Sequence, residues 1–253
     1  MTTGAEVLMI IGAHAGDAEV MAGAVAAQHV RDGGKAILVH LTLGERGHGR
    51  LSQQEYARQK ADEAQAFGRA IGAEVVVLPY GDAELVATDE AKLRVCDVIR
   101  EHRPAALVTH WHGSIHRDHA ICSTIVEDAL FYAGLPSIER DYPAHNVGLL
   151  CFGENWEDPI GFHPELYVDV APSYDAWVEA MQAYELFRGT ISTFPYLDYY
   201  RTLSRLRGIE AGRERAQAFM MPPGPARRQI VESFSQTRFV KMTAASIVQA
   251  REQ

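Results

Sequence analysis

From residue 6 to about residue 152, short β-branched runs alternate with longer helical patterns, and this rhythm constrains the fold most. Glu6 to Ile11 (EVLMII) is a buried-type strand, and Asp17 to Arg31 is an Ala-rich helix ending at Gly33-Gly34. Lys35 to Leu43 is a second strand, and Gln53 to Ile71 a helix stopped by Gly72. Glu74 to Leu78, Ala105 to His110 and Val147 to Phe152 read as further strands, with helices at Glu90 to His102 and near Asp118 to Ala133. Four successive βα units predict an α/β fold: a Rossmann-like, mostly parallel sheet with helices on both faces. Such sheets place ligands at the carboxyl ends of their strands.

After about Pro159 the rhythm changes. A strand-like stretch, Leu166 to Val170, precedes a helix from about Ser173 to Arg188, an aromatic segment and an Arg-rich helix. The expectation is one domain, with residues 1–158 as the α/β core and 159–253 as its C-terminal helical and aromatic appendage. Residues 200–241 carry nine Lys or Arg against three Asp or Glu, within a chain of net charge −9. Two readings fit this basic stretch: a solvated, partner-facing surface, which is favoured, or arginines that contact an anionic substrate group. The aromatics of residues 194–200 suit a subunit interface and a homo-oligomer, whereas Trp156, after a strand end, suits the cleft.

An acidic chain is a poor non-specific partner for nucleic acid or anionic membrane. Cys96, Cys122 and Cys151 are far apart, with no CxxC pair, which argues against a disulfide framework and suits a cytoplasmic location. No stretch approaches the roughly 18 apolar residues of a membrane span.

The chemistry concentrates at two strand ends. The first strand runs into Gly12-Ala13-His14-Ala15-Gly16-Asp17, where a His and an Asp three apart can converge on one point. The fourth runs into Thr109-His110-Trp111-His112-Gly113-Ser114-Ile115-His116-Arg117-Asp118-His119, which holds four of the chain's 11 histidines. His116 and His119, three apart entering a helix, can face the same cleft. A catalytic zinc wants three protein ligands and an open position. His14, Asp17 and one of His116 and His119 meet that count, which leaves the other His for proton transfer. His110 and His112 read as strand-end packing or as groups that stand behind the ligands. Gly12 and Gly16 form no nucleotide loop, because G-x-G-x-x-G and the P-loop Lys are both missing.

AHAGDAE resembles the A-H-P-D-D-E signature of the PIG-L/LmbE-like zinc-dependent deacetylases, and HRDH resembles that family's H-P-D-H. Softer echoes are LTLGERGHG at 42–50, Arg58 with Glu63, Pro79-Tyr80-Gly81-Asp82, and Leu206-Arg207-Gly208 with Ala216 to Phe219. The resemblance implies His14, Asp17 and His119 as metal ligands. It makes His116 the group that polarises the amide oxygen or protonates the leaving amine, with Asp118 its partner. It further implies Zn2+ as cofactor, with another divalent ion such as Fe2+ compatible, and an N-acetylated, sugar-like small molecule as substrate.

The family's first Asp, its general base, is Gly16 here, which marks a divergent member. Candidate replacements are Asp118, then Glu154 in CFGENWED, then Glu19, one turn into the first helix and able to point along it to solvent. Two function classes follow: a metal-dependent amide hydrolase, or a metal-binding homologue that no longer hydrolyses and serves as a binding or assembly subunit. A two-His-one-carboxylate iron oxygenase fits poorly, since that chemistry is familiar on antiparallel β folds rather than βα alternation.

Overall fold

A computed structural model describes residues 6–222. Seven strands form one sheet in the order β3-β2-β1-β4-β5-β7-β6. The parallel part comprises β1 (Val7–His14), β2 (Lys35–Thr42), β3 (Glu74–Val77), β4 (Ala106–His110) and β5 (Leu149–Gly153). Helices α1 (Asp17–Arg31), α2 (Gln53–Ile71), α3 (Asp89–His102) and α4 (Arg117–Ala133) connect them. The α/β expectation therefore holds, with the ends of these elements unchanged or shifted by at most three residues.

Strand alternation sorts the core into two layers. Leu8 and Ile10 of β1 pack with Ala64 and Phe67 of α2 on one face, while Met9 and Ile11 pack with Val95 of α3 and Ile125 of α4 on the other. Both faces of β1 are thus buried, which is why its sequence is a continuous apolar run. Ile10 has no exposed surface, so its truncation to Ala costs about 2–5 kcal/mol.

The second half adds strands as well as helices. β6 (Leu166–Asp169) and β7 (Ala216–Met220) join antiparallel, β7 pairing with both β5 and β6. The sequence AQAFM of β7 lacks β-branched residues, so local propensity does not mark it. Its Gln217 amide accepts from the Val25 N–H and donates to the Val20 carbonyl, both at 3.0 Å, on either side of the kink at Ala22 in α1.

The helix expected over 173–188 is shorter: α5 is Tyr174–Met181. Tight turns at Gln182, Ala183 and Tyr184 replace the helical ladder and bring the Tyr184 hydroxyl to Glu19. α6 is Tyr196–Ala211. The described arginines of the basic stretch have protein partners: Arg201 faces Asp198, Arg207 Glu154, Arg213 Asp169, and Arg215 the Tyr174 ring. Arg205 donates to the Glu214 carbonyl. The remainder of that stretch lies outside the described residues. Among the described residues no helix is long and apolar enough to cross a membrane.

Candidate active site

The strand order reverses its direction of winding between β1 and β4, the place where such a sheet opens a crevice. Both histidine motifs emerge there. β1 ends at His14, and Gly16 caps α1 with φ of +112°, a conformation that favours glycine. The turn sends Asp17 back onto the strand end. Its Oδ2 accepts the His14 backbone N–H at 2.8 Å and lies 3.1 Å from His14 Nδ1. His119, in the first turn of α4, brings Nε2 to 3.2 Å from the same oxygen. His110, the last residue of β4, does likewise at 3.2 Å, while its Nε2 also takes the Ala13 N–H at 3.0 Å.

One carboxylate oxygen thus faces three imidazole nitrogens, a donor set suited to a borderline divalent cation. The far sides of the His14 and His119 rings suit such an ion as well. His14 Nε2, buried and without a well-aligned hydrogen bond, stands 3.3 Å from Asp82 Oδ1 and 3.5 Å from Asp118 Oδ2. His119 Nδ1 stands 3.4 Å from both Glu157 Oε2 and Ser114 Oγ. A metal-binding histidine commonly turns its second nitrogen to a carboxylate in this way.

Neighbouring loops hold those carboxylates. Asp82 Oδ2 accepts the Arg46 N–H at 2.9 Å, and Glu45 accepts the Asp82 N–H at 3.0 Å, which ties the loops after β2 and β3 together. Asp118 Oδ2 accepts the Ala83 N–H at 2.7 Å. His116 is the N-cap of α4, its Nδ1 accepting the Asp118 N–H at 3.3 Å. In the neutral ring this leaves the proton on Nε2. The His116 ring stacks on His119 at 4.4 Å and meets His14 edge-on at 4.8 Å.

Burial and charge set the protonation states. Burial, then the neighbouring His110, lowers His119 to about 4, so this ring is neutral at ordinary pH. Burial also lowers His116, helped by His119 and His14. For Asp17 burial acts upward, but His119, His14 and His110 outweigh it and hold the carboxyl well below its usual range. For His14 burial acts downward and is overcome by Asp17, Asp118 and Asp82. Burial and then Asp17 push Glu157 up to about 7.

His14, Asp17, His116 and His119 line a cleft of about 220 Å³ together with Asp82, Glu157, Lys60 and aromatic side chains. The structure brings these four residues together as the sequence anticipates. Asp118 lies behind them, 1% exposed, and does not line the cleft. Glu154 is not brought to the cluster: it is held in a two-pronged ion pair by Arg207, along another pocket. Glu19 does not reach solvent. It is fully buried, accepting from the Gly16 N–H and the Tyr184 hydroxyl, with His40 at 3.3 Å.

His110 touches Asp17, as the reading of a group behind the ligands allows, whereas His112 is exposed against Trp111. Trp156 lines the cleft, and so do Tyr196 and Tyr200, which the sequence placed at an interface. Glu157 and Lys60 had no local signal. Asp82 had one, in the Pro-Tyr-Gly-Asp turn, but nothing in the sequence aimed it at His14.

An α/β sheet with imidazoles and carboxylates gathered at its β1/β4 crevice defines the class of protein. Residues 9–130 match the family described as PIG-L: GlcNAc-PI de-N-acetylase, the family whose motifs the two histidine segments resemble. It is 24% identical over 224 residues to the 4-oxalmesaconate hydratase of Pseudomonas putida, covering 84% of each chain. It is 23% identical over 240 residues to the diacetylchitobiose deacetylase of Thermococcus kodakarensis, covering 86% of this chain and 83% of that one. A conserved protein from Thermus thermophilus shares the fold at TM-score 0.77 and 22% identity, over 92% of this chain and 99% of that one.

Proposed function

We propose that the protein is a divalent-metal-dependent amide hydrolase that removes an N-acetyl group from an amino sugar or a similar glycoside-like molecule. The observation that carries this reading is the convergence of His14 Nδ1 and His119 Nε2 on Asp17 Oδ2, with His116 alongside. His14, Asp17 and His119 are the residues we assign to the metal; zinc is the expected ion, and iron(II) suits the same donors. When bound, such an ion lowers the pKa of a water and polarises a carbonyl.

The chain's own groups supply the remainder. His116 holds a proton at Nε2, ready for the tetrahedral oxyanion or the departing amine. Asp82 and Asp118 orient His14. Glu157 lines the cleft without being assigned as a ligand, and we assign it to accept the proton of the attacking water in place of the acid missing at Gly16. The match of residues 9–130 to the de-N-acetylase family and the diacetylchitobiose deacetylase relative support the amide as the bond attacked.

A second reading is hydration of an unsaturated carboxylate. It is favoured by the hydratase relative, which is matched over 84% of each chain. Metal content, measured with acetate release from a panel of N-acetyl sugars, tests the first reading. Stoichiometric metal with acetate release that collapses in His116→Ala supports it. Bound metal with no acetate from any amide overturns it in favour of the hydratase or of a non-catalytic binding protein.

A further inference from the structure

The cleft contains a cation that the chemistry above leaves unused. Lys60, in α2, is 3% exposed, and its ammonium donates to the Ala15 carbonyl. Its other close neighbours are aromatic: the ring centroids of Tyr184 at 4.8 Å and Tyr56 at 6.0 Å. The acids that act on it are Glu63, Glu19, Asp17 and Asp82, and none forms an ion pair with it within 4.0 Å. Each has other partners. Glu63 accepts from Gln59 and the Glu185 N–H, Glu19 from Tyr184 and the Gly16 N–H. Asp17 faces the histidines, and Asp82 faces Arg46 and His14.

Buried charges are ordinarily paired, because an isolated ion pays a large desolvation penalty. Burial accordingly lowers the Lys60 pKa, opposed by the distant acids. The vacancy for a counter-charge is beside Gly16. A Cβ built on Gly16 would lie 3.6 Å from Lys60 Nζ and 3.5 Å from the Phe187 ring, and all three residues line the cleft. An acid at position 16 would stand against the ammonium; glycine leaves that space to a ligand.

We propose that Lys60 pairs with a carboxylate carried by the substrate, seated beside Gly16. The substrate class is then an acidic small molecule, such as an N-acyl sugar acid or N-acyl amino acid, rather than a neutral sugar. The proposal rests on this cleft being the substrate site, as argued above, and is independent of which bond reacts. It also relocates the anionic contact: the described arginines of the late basic stretch are engaged by the protein, whereas Lys60 has no ion-pair partner among the described residues.

Calorimetric titration with N-acetylglycine and N-acetylglycinamide tests it, because the two probes share an acetamide and differ in charge. Neither turnover nor acetate release is needed, so loss of the deacetylase reading would leave this result standing. The expected result is at least tenfold tighter binding of the acid by the wild-type protein. Lys60→Met and Lys60→Gln should erase that preference, and Lys60→Arg should keep most of it. Equal binding of the two probes by wild type, or binding of neither, overturns the proposal. So does an acid preference that survives in whichever neutral variant folds, which would place the carboxylate on the histidine cluster instead.

Discussion

Glu157 Oε2 lies 3.4 Å from Nδ1 of His119, on the side of the ring opposite Asp17. The two residues come from different elements: His119 from the first turn of α4, Glu157 from the loop after β5. Ser114 fastens them, donating to the Glu157 carbonyl at 3.1 Å and accepting the His116 N–H at 3.2 Å. Removing the carboxylate charge in Glu157→Gln should weaken metal binding by roughly 10- to 100-fold, the usual effect of losing such a backing group. Metal-buffered titration would measure this, and unchanged affinity would remove Glu157 from the support of His119.

Asp17 and His116 should separate metal binding from rate. Asp17→Ala removes the oxygen on which His14, His110 and His119 converge, so metal and activity should vanish together. His116→Ala should retain metal and lose roughly 10²- to 10⁴-fold in kcat, the range for a positioned acid. Elemental analysis of both purified variants decides the matter, and equal metal loss would show that His116 belongs among the ligands.

Asp158 should make stability fall as pH rises. Burial first, then the neighbouring Glu157 and Asp17, pushes its carboxyl up to about 7. Below about pH 4 it is protonated in both folded and unfolded chains and contributes no difference. Between about 4 and 7 the unfolded chain releases its proton first, so folding is progressively disfavoured. Asp158→Asn should therefore match wild type near pH 4 and exceed it at pH 8 by on the order of 1–4 kcal/mol. Denaturant melts at the two pH values test this, and an unchanged difference between them would contradict it.

Glu154 should matter to stability rather than to chemistry. Its carboxylate and Arg207 are both mostly buried, at 14% and 15% side-chain exposure. Glu154→Gln leaves the guanidinium with one weaker partner and Glu210, and a cost of about 1–3 kcal/mol follows. Thermal melting should show the loss while kcat stays within about twofold. A large fall in kcat with unchanged melting would restore Glu154 to the catalytic candidates.

The division between sequence and structure is visible in these residues. Hydrophobic period and helix stops marked the five parallel strands and the four helices between them, because those signals are local. A His and an Asp leaving β1, and His116 with His119 leaving β4, were legible for the same reason: a parallel α/β sheet aims its strand ends at one crevice. The glycine at position 16 read as a missing acid only through the resemblance to the A-H-P-D-D-E signature.

Which carboxylate of the later loop reaches the cleft was decided only in three dimensions. Glu154, Glu157 and Asp158 share one short loop, yet the chain turns Glu154 to Arg207 and Glu157 to His119, a choice no spacing rule encodes. β7 escaped notice because its residues are strand-like only once Gln217 and Phe219 meet α1 and β6. Lys60 reads as one polar residue on an amphipathic helix, and long-range packing makes it a buried cation beside Gly16. Local periodicity specifies which elements form; the burial that shifts a charge or pairs it comes from residues more than a hundred positions away, such as Tyr184 over Lys60.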